Sequence, residues 1–122
     1  MKVNKFKSII MATCVIFALV ACAGFTKNAY RTLSTSATMY ETSMQSLSDL
    51  HKKGIITDVD VAKVIIVAEK FWASYHISVN ALVAYEKTNT AKDQKRVEVA
   101  LVEFNKFLVE FTTIITPLLT KE

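Results

Sequence analysis

Beyond Thr26 the chain has one glycine, Gly54, and one proline, Pro117. Those two residue types let a backbone reverse sharply, so a stretch this poor in them lacks the turns a multistranded sheet needs and favours long unbroken helices. The apolar pattern agrees. Leu33, Ala37, Tyr40, Met44, Leu47 and His51 recur at alternating four-three spacing, which lines one face of a helix. Val61, Ile65, Ala68, Trp72, Tyr75, Val79 and Leu82 form a second such seam. Val97, Leu101, Phe104, Leu108, Phe111, Ile115 and Leu118 form a third. Val64 and Phe71 widen the second stripe, and Ala100, Phe107 and Ile114 widen the third, as a helix with two neighbours requires.

The breaks between seams carry end signals. Lys52 and Lys53 suit a negative helix end, and Gly54 can take the left-handed conformation after it, with Ile55 folding back on Leu50. Thr57 and Asp60 resemble a capping box, and Ile56 with Val61 a hydrophobic staple. The second helix should end near Lys87. Thr88-Asn89-Thr90 is a turn, with Thr90 capping the third helix and Asp93 at the box position. Pro117 should end that helix. Short connections make neighbours antiparallel. The expectation is an all-α, antiparallel up-down-up three-helix bundle over residues 28–122, its first helix spanning 28–53. The alternative is two long helices with the first docking only in an oligomer.

The N-terminal segment is different. Lys2, Lys5 and Lys7 precede an apolar run, Ile9–Leu19, and the small residue Ala21 precedes Cys22. This is the layout of a secretory signal. Leu19-Val20-Ala21-Cys22 resembles the lipobox of bacterial lipoprotein signal peptides. The resemblance implies cleavage between Ala21 and Cys22, removal of residues 1–21, and a covalent diacylglycerol and N-acyl lipid on Cys22. Residues 22–27 would be a short tether, at most roughly 20 Å when extended. Ala23, where Asp would retain the protein, implies the outer membrane in a Gram-negative host, and the outer face of the cytoplasmic membrane in a Gram-positive one. The rival is an uncleaved membrane helix, because residues 8–26 carry no charge. Cleavage would remove Cys14, leaving no thiol pair for a disulfide.

The net charge of +4 overstates the basic character of the domain. Without the leader, twelve basic residues face eleven acidic ones, which is no footprint for nucleic acid. No nucleophile-and-base signature or phosphate loop is present, so a non-catalytic role without small-molecule substrate is expected. His51 reads as a residue capping the first helix end and His76 as a surface residue; neither has the partners a metal site needs. Tyr40, Phe71, Trp72, Tyr75, Phe104, Phe107 and Phe111 read as core, with haem or quinone binding the alternative and Met44 the one mid-helix axial candidate.

Two surfaces suggest contact with a partner. The first helix carries Thr32, Ser34, Thr35, Ser36, Thr38, Thr42, Ser43, Ser46 and Ser48, either a solvated face or a close-contact one. Ile66, Ala73, Ile77 and Ala84 form a stripe opposite the second seam, and Val99, Val102 and Val109 do so on the third helix. A contiguous apolar patch on two helices marks an interface. Lys63, Lys70, Glu103, Lys106 and Glu110 would rim it, Lys106 and Glu110 also forming a helical pair. The expected function is that of a lipid-anchored envelope protein that binds a partner or itself. Alternatives are a phage-encoded effector lipoprotein that blocks a receptor or aids lysis, and a ligand carrier using the aromatic core.

Overall fold

The computed structural model describes residues 24–121. The leader and the expected cleavage and lipid attachment at Ala21 and Cys22 lie outside them. Three helices follow in order: α1 (Phe25–Lys52), α2 (Asp58–Thr88) and α3 (Ala91–Leu119). At 1.5 Å per residue each is about 42–46 Å long. They form the expected up-down-up three-helix bundle. Tyr40 of α1 stacks on Phe71 of α2 at 4.9 Å and lies 5.4 Å from Phe111 of α3, so the three helices meet at mid-height. Phe25, Ala29, Leu33, Leu47 and Leu50 bury α1 against the other two within one chain, which sets aside docking only in an oligomer.

The helix ends form largely as their residues dictate. Gly54 sits at φ 74° and completes a two-bond C-terminal motif, Ile55 N–H to Leu50 O at 2.9 Å and Gly54 N–H to His51 O at 3.0 Å. It is Ile56 that buries after this turn, whereas Ile55 remains exposed. Thr57 and Asp60 make the reciprocal capping box, at 3.1 and 3.0 Å. Thr90 accepts from Asp93 N–H at 3.2 Å, but the Asp93 carboxylate turns to the Thr88 hydroxyl, so that box is only half made.

Three boundaries depart from expectation. α1 begins at Phe25 rather than near residue 28, because the Phe25 ring finds an edge-on seat against Tyr85 at 5.8 Å. Residues 25–27, expected to be part of a tether, belong to the helix instead. α2 continues one residue past Lys87 and ends on Asn89 in the left-handed conformation, φ 51°. α3 runs through Pro117 to Leu119. Proline there removes the N–H that would bond the carbonyl four residues back, and the helix continues only two residues beyond it.

The third seam is buried along its whole length, Val97 to Leu118. The second is rotated. Val64, Val67, Ala68, Phe71, Ser74, Ser78 and Leu82 face the core, while Ile65 and Trp72 are exposed. Ser74 and Ser78 are small enough to let α2 approach α3 closely. Their hydroxyls cost little there: Ser74 donates to Phe71 O at 2.8 Å and Ser78 to Ala100 O across the interface at 3.2 Å. On α1 the same substitution of small for large occurs. Thr32, Ser36 and Ser43 are buried, so they belong to the inner face and not to an outer hydroxyl surface. Of the first seam only Leu33 and Leu47 are fully buried; Ala37, Tyr40 and Met44 are half-buried and His51 is exposed.

Candidate interaction surface

Rotating α2 so that Phe71 and Ser78 face inward forces its opposite side outward. Ile66 is 57% exposed and Ile77 61%, with Ala73 exposed between them. Ala84 is half-buried, so the exposed stripe ends at Ile77. Ile65 and Trp72, each one position before a stripe residue, widen it on the side facing α1. The spacing of apolar residues places both in the core seam, and the structure moves them out of it. The signal that could have moved them was the continuous apolar run from Val64 to Ala68, which any helix must split between two faces.

Two grooves flank this ridge. Toward α1, Tyr40, Met44, Ile65, Ala68, Glu69, Trp72 and Ala73 line a depression of about 370 Å³. Toward α3, Ile77 and Ala81 face Val99 and Ala100 across one of about 580 Å³, rimmed by Lys92, Lys95, Arg96 and Glu103. Val99 is therefore part of the same surface as Ile77. Val102 and Val109 are exposed too, but a helix rotates them about 60–80° away from Val99, on the side opposite Glu103. They flank the groove and do not line it. Lys70 of α2 bonds Glu110 of α3 at 3.2 Å. Glu110 thus ties two helices together instead of pairing with Lys106 along its own.

The aromatic residues form a stack from core to surface. Phe71 contacts Phe104 at 5.1 Å and Tyr40 at 4.9 Å; Tyr40 stacks on Trp72 at 5.3 Å, and Trp72 on Tyr75 at 5.1 Å. Burial in this stack raises the Tyr40 pKa. The exposed His76 lies edge-on to Trp72 at 4.9 Å. Trp72 is held in one orientation by these neighbours although its side remains 37% exposed, which suits a pre-organised contact residue.

The polar groups are structural. His51 Nε2 bonds Asp58 Oδ1 at 2.7 Å, bridging the first turn; this carboxylate, not the free carbonyls of α1, is its partner. The Tyr30 hydroxyl donates to Glu86 and its pKa is pushed up to about 12, chiefly by that bond. Asp60 and Asp93 are held below their ordinary range, Asp60 first by the Thr57 backbone N–H and Asp93 first by the Thr88 hydroxyl. Among the described residues no three His, Cys, Asp or Glu side chains converge as a metal site. Among them, too, no helix is long and apolar enough to cross a membrane. The chain matches no protein-family model, no curated protein and no solved structure.

Proposed function

We propose that this chain is a small lipid-anchored protein of the bacterial cell envelope. Cys22 carries the diacylglycerol and N-acyl lipid, and the outer face of α2 binds another envelope protein or a second copy of this chain. It sits on the outer membrane of a Gram-negative host or the outer face of a Gram-positive cytoplasmic membrane. The role is non-catalytic. The lipobox supports the anchoring. The observation that carries the binding role is the exposed apolar ridge of Ile66, Ala73 and Ile77, extended by Ile65 and Trp72 and continued across a groove to Val99. Isolated exposed apolar residues are ordinary, whereas a contiguous patch on two helices is what interfaces use.

The test combines mass spectrometry of the mature N-terminus with crosslinking in intact cells. The first peptide should begin at Cys22 and carry acyl mass. A specific crosslinked species should form and should disappear in an Ile66→Glu, Ile77→Glu double variant that retains its helical circular dichroism. An unmodified Cys22 thiol refutes the anchoring. Crosslinking that survives the double variant refutes the surface.

A further inference from the structure

The two ends of the bundle differ in one respect that bears on the membrane. Phe25 against Tyr85, and Tyr30 bonded to Glu86, place the start of α1 beside the α2–α3 turn. Around this end six cations are exposed: Lys27, Arg31, Lys87, Lys92, Lys95 and Arg96. Three carboxylates accompany them, and each is already engaged. Glu86 accepts from Tyr30, Asp93 accepts from Thr88 and lies 3.7 Å from Arg96, and Glu98 lies 3.8 Å from Lys95. Lys27, Arg31, Lys87 and Lys92 take part in no ion pair among the described residues. At the far end His51 and Lys121 are paired with Asp58 and Asp60, and Lys52, Lys53 and Lys63 are exposed there beside Asp49, so among the described residues four lysines face three carboxylates. The larger excess of positive charge, six cations against three carboxylates, therefore surrounds the point where the chain enters the bundle at Gly24, two residues after Cys22.

We infer that this end of the bundle is a docking face for an anionic phospholipid surface. Lys92, Lys95 and Arg96 project along the rim of the α2–α3 groove, and Lys27 and Arg31 stand on the neighbouring helix, so the cations are spread over one end and not strung along a side. Such a cluster is attracted to anionic lipid within about a Debye length. The inference rests on the proposed anchoring for its orientation: a lipid at Cys22 brings this end, and no other, against the bilayer. Long basic side chains reach phosphate oxygens from a backbone that itself stays in water. The docked bundle stands end-on and leaves Ile66 and Ala73 facing sideways.

The domain from residue 22 onward, with Cys22→Ser and no lipid, is suited to the test, because among the described residues every buried one lies between Phe25 and Leu118. It is sedimented with vesicles of phosphatidylglycerol and phosphatidylcholine, and with vesicles of phosphatidylcholine alone. It should partition at least about tenfold more strongly onto the anionic vesicles, and lose that preference at high salt. The Lys92→Gln, Lys95→Gln, Arg96→Gln triple variant should lose about tenfold or more. Lys52→Gln, Lys53→Gln, Lys63→Gln at the far end should leave partitioning unchanged. Equal partition onto neutral vesicles, absence of partition, or an equal loss in the far-end variant overturns the inference. Lipidation is absent from this assay, so a failure of the anchoring, read from the mass of the mature N-terminus, is distinguished from a failure of the docking face.

Discussion

Replacing Phe71 or its neighbour Trp72 by alanine tests which face of α2 is inside. The sequence periodicity puts Trp72 on the seam and Phe71 at its edge; the structure reverses them. Phe71 has no exposure and touches the rings of Tyr40, Phe104 and Phe111 at 4.9, 5.1 and 5.3 Å. Removing it takes away a fully buried side chain and leaves a cavity among rings that cannot all close in. The expected cost is about 3–5 kcal/mol, a large share of the roughly 5–15 kcal/mol that holds a domain together. Trp72 is bigger, but 37% of it is exposed and its ring contacts are two stacked faces, Tyr40 and Tyr75, and the exposed edge-on His76. Each such pair contributes about 0.5–1.5 kcal/mol, so Trp72→Ala should cost about 1–3 kcal/mol. Urea unfolding followed by far-ultraviolet circular dichroism measures both, with the m-value checked for constancy. In thermal terms Phe71→Ala should lower the Tm by at least about 12 °C. A Trp72→Ala loss equal to or larger than that of Phe71→Ala refutes the orientation of α2, and with it the exposed ridge.

The two remaining predictions concern the ends. Thr57→Ala removes the hydroxyl that accepts from Asp60 N–H and should cost about 1 kcal/mol in the same urea assay; no change would mean that the box contributes nothing to holding the start of α2. The pH profile should fall on both sides. Asp60 and Asp93 titrate below their ordinary range when folded, so their contribution is present above the unfolded pKa and is lost as pH drops through the folded one. Tyr30 titrates at about 12 against an ordinary 10.0, so its contribution is complete below 10.0 and is lost as pH rises to about 12. Difference absorbance against a Tyr30→Phe variant should show this ionisation, and Glu86→Gln should move it back toward 10.0.

How far the fold was legible depended on which side chains fill the core. On α3 large apolar residues do so, and every seam position from Val97 to Leu118 is buried. On α2 the core includes Ser74 and Ser78, and on α1 Thr32, Ser36 and Ser43. A pattern of apolar and polar types scores those positions as surface, although close helix approach selects them for size and gives some of their hydroxyls a carbonyl to bond. The inferred seams therefore slid toward the next apolar residues, Ile65 and Trp72. Caps were legible at Thr57 and Gly54 because their signals act within one turn. Pro117 misled because the helix continues two residues past it to Leu119 despite the missing N–H. The ridge of Ile66, Ala73 and Ile77 could be read because it lies opposite either version of the seam. The basic end could not, since its six cations are scattered over sixty-odd positions and come together only when α1 folds back beside the α2–α3 turn.

On the proposed anchoring, the same geometry fixes how high a partner must reach. Three residue steps separate Cys22 from Phe25, at most roughly 10 Å of chain. Ile77 lies eleven residues before the end of α2 and Ile66 twenty-two, placing them about 17 and 33 Å above that end. The ridge is thus presented sideways within one bundle length of the lipid. A partner confined to the same membrane meets it at an effective concentration far above that of a freely diffusing protein, so a patch of a few apolar side chains suffices for association that would be weak in solution. Under the proposed anchoring, a short tether and a modest ridge act together. Lengthening the link before Phe25 would dilute the encounter without touching a single contact residue, and enlarging the ridge would make the unprocessed chain prone to associate before it reached its surface.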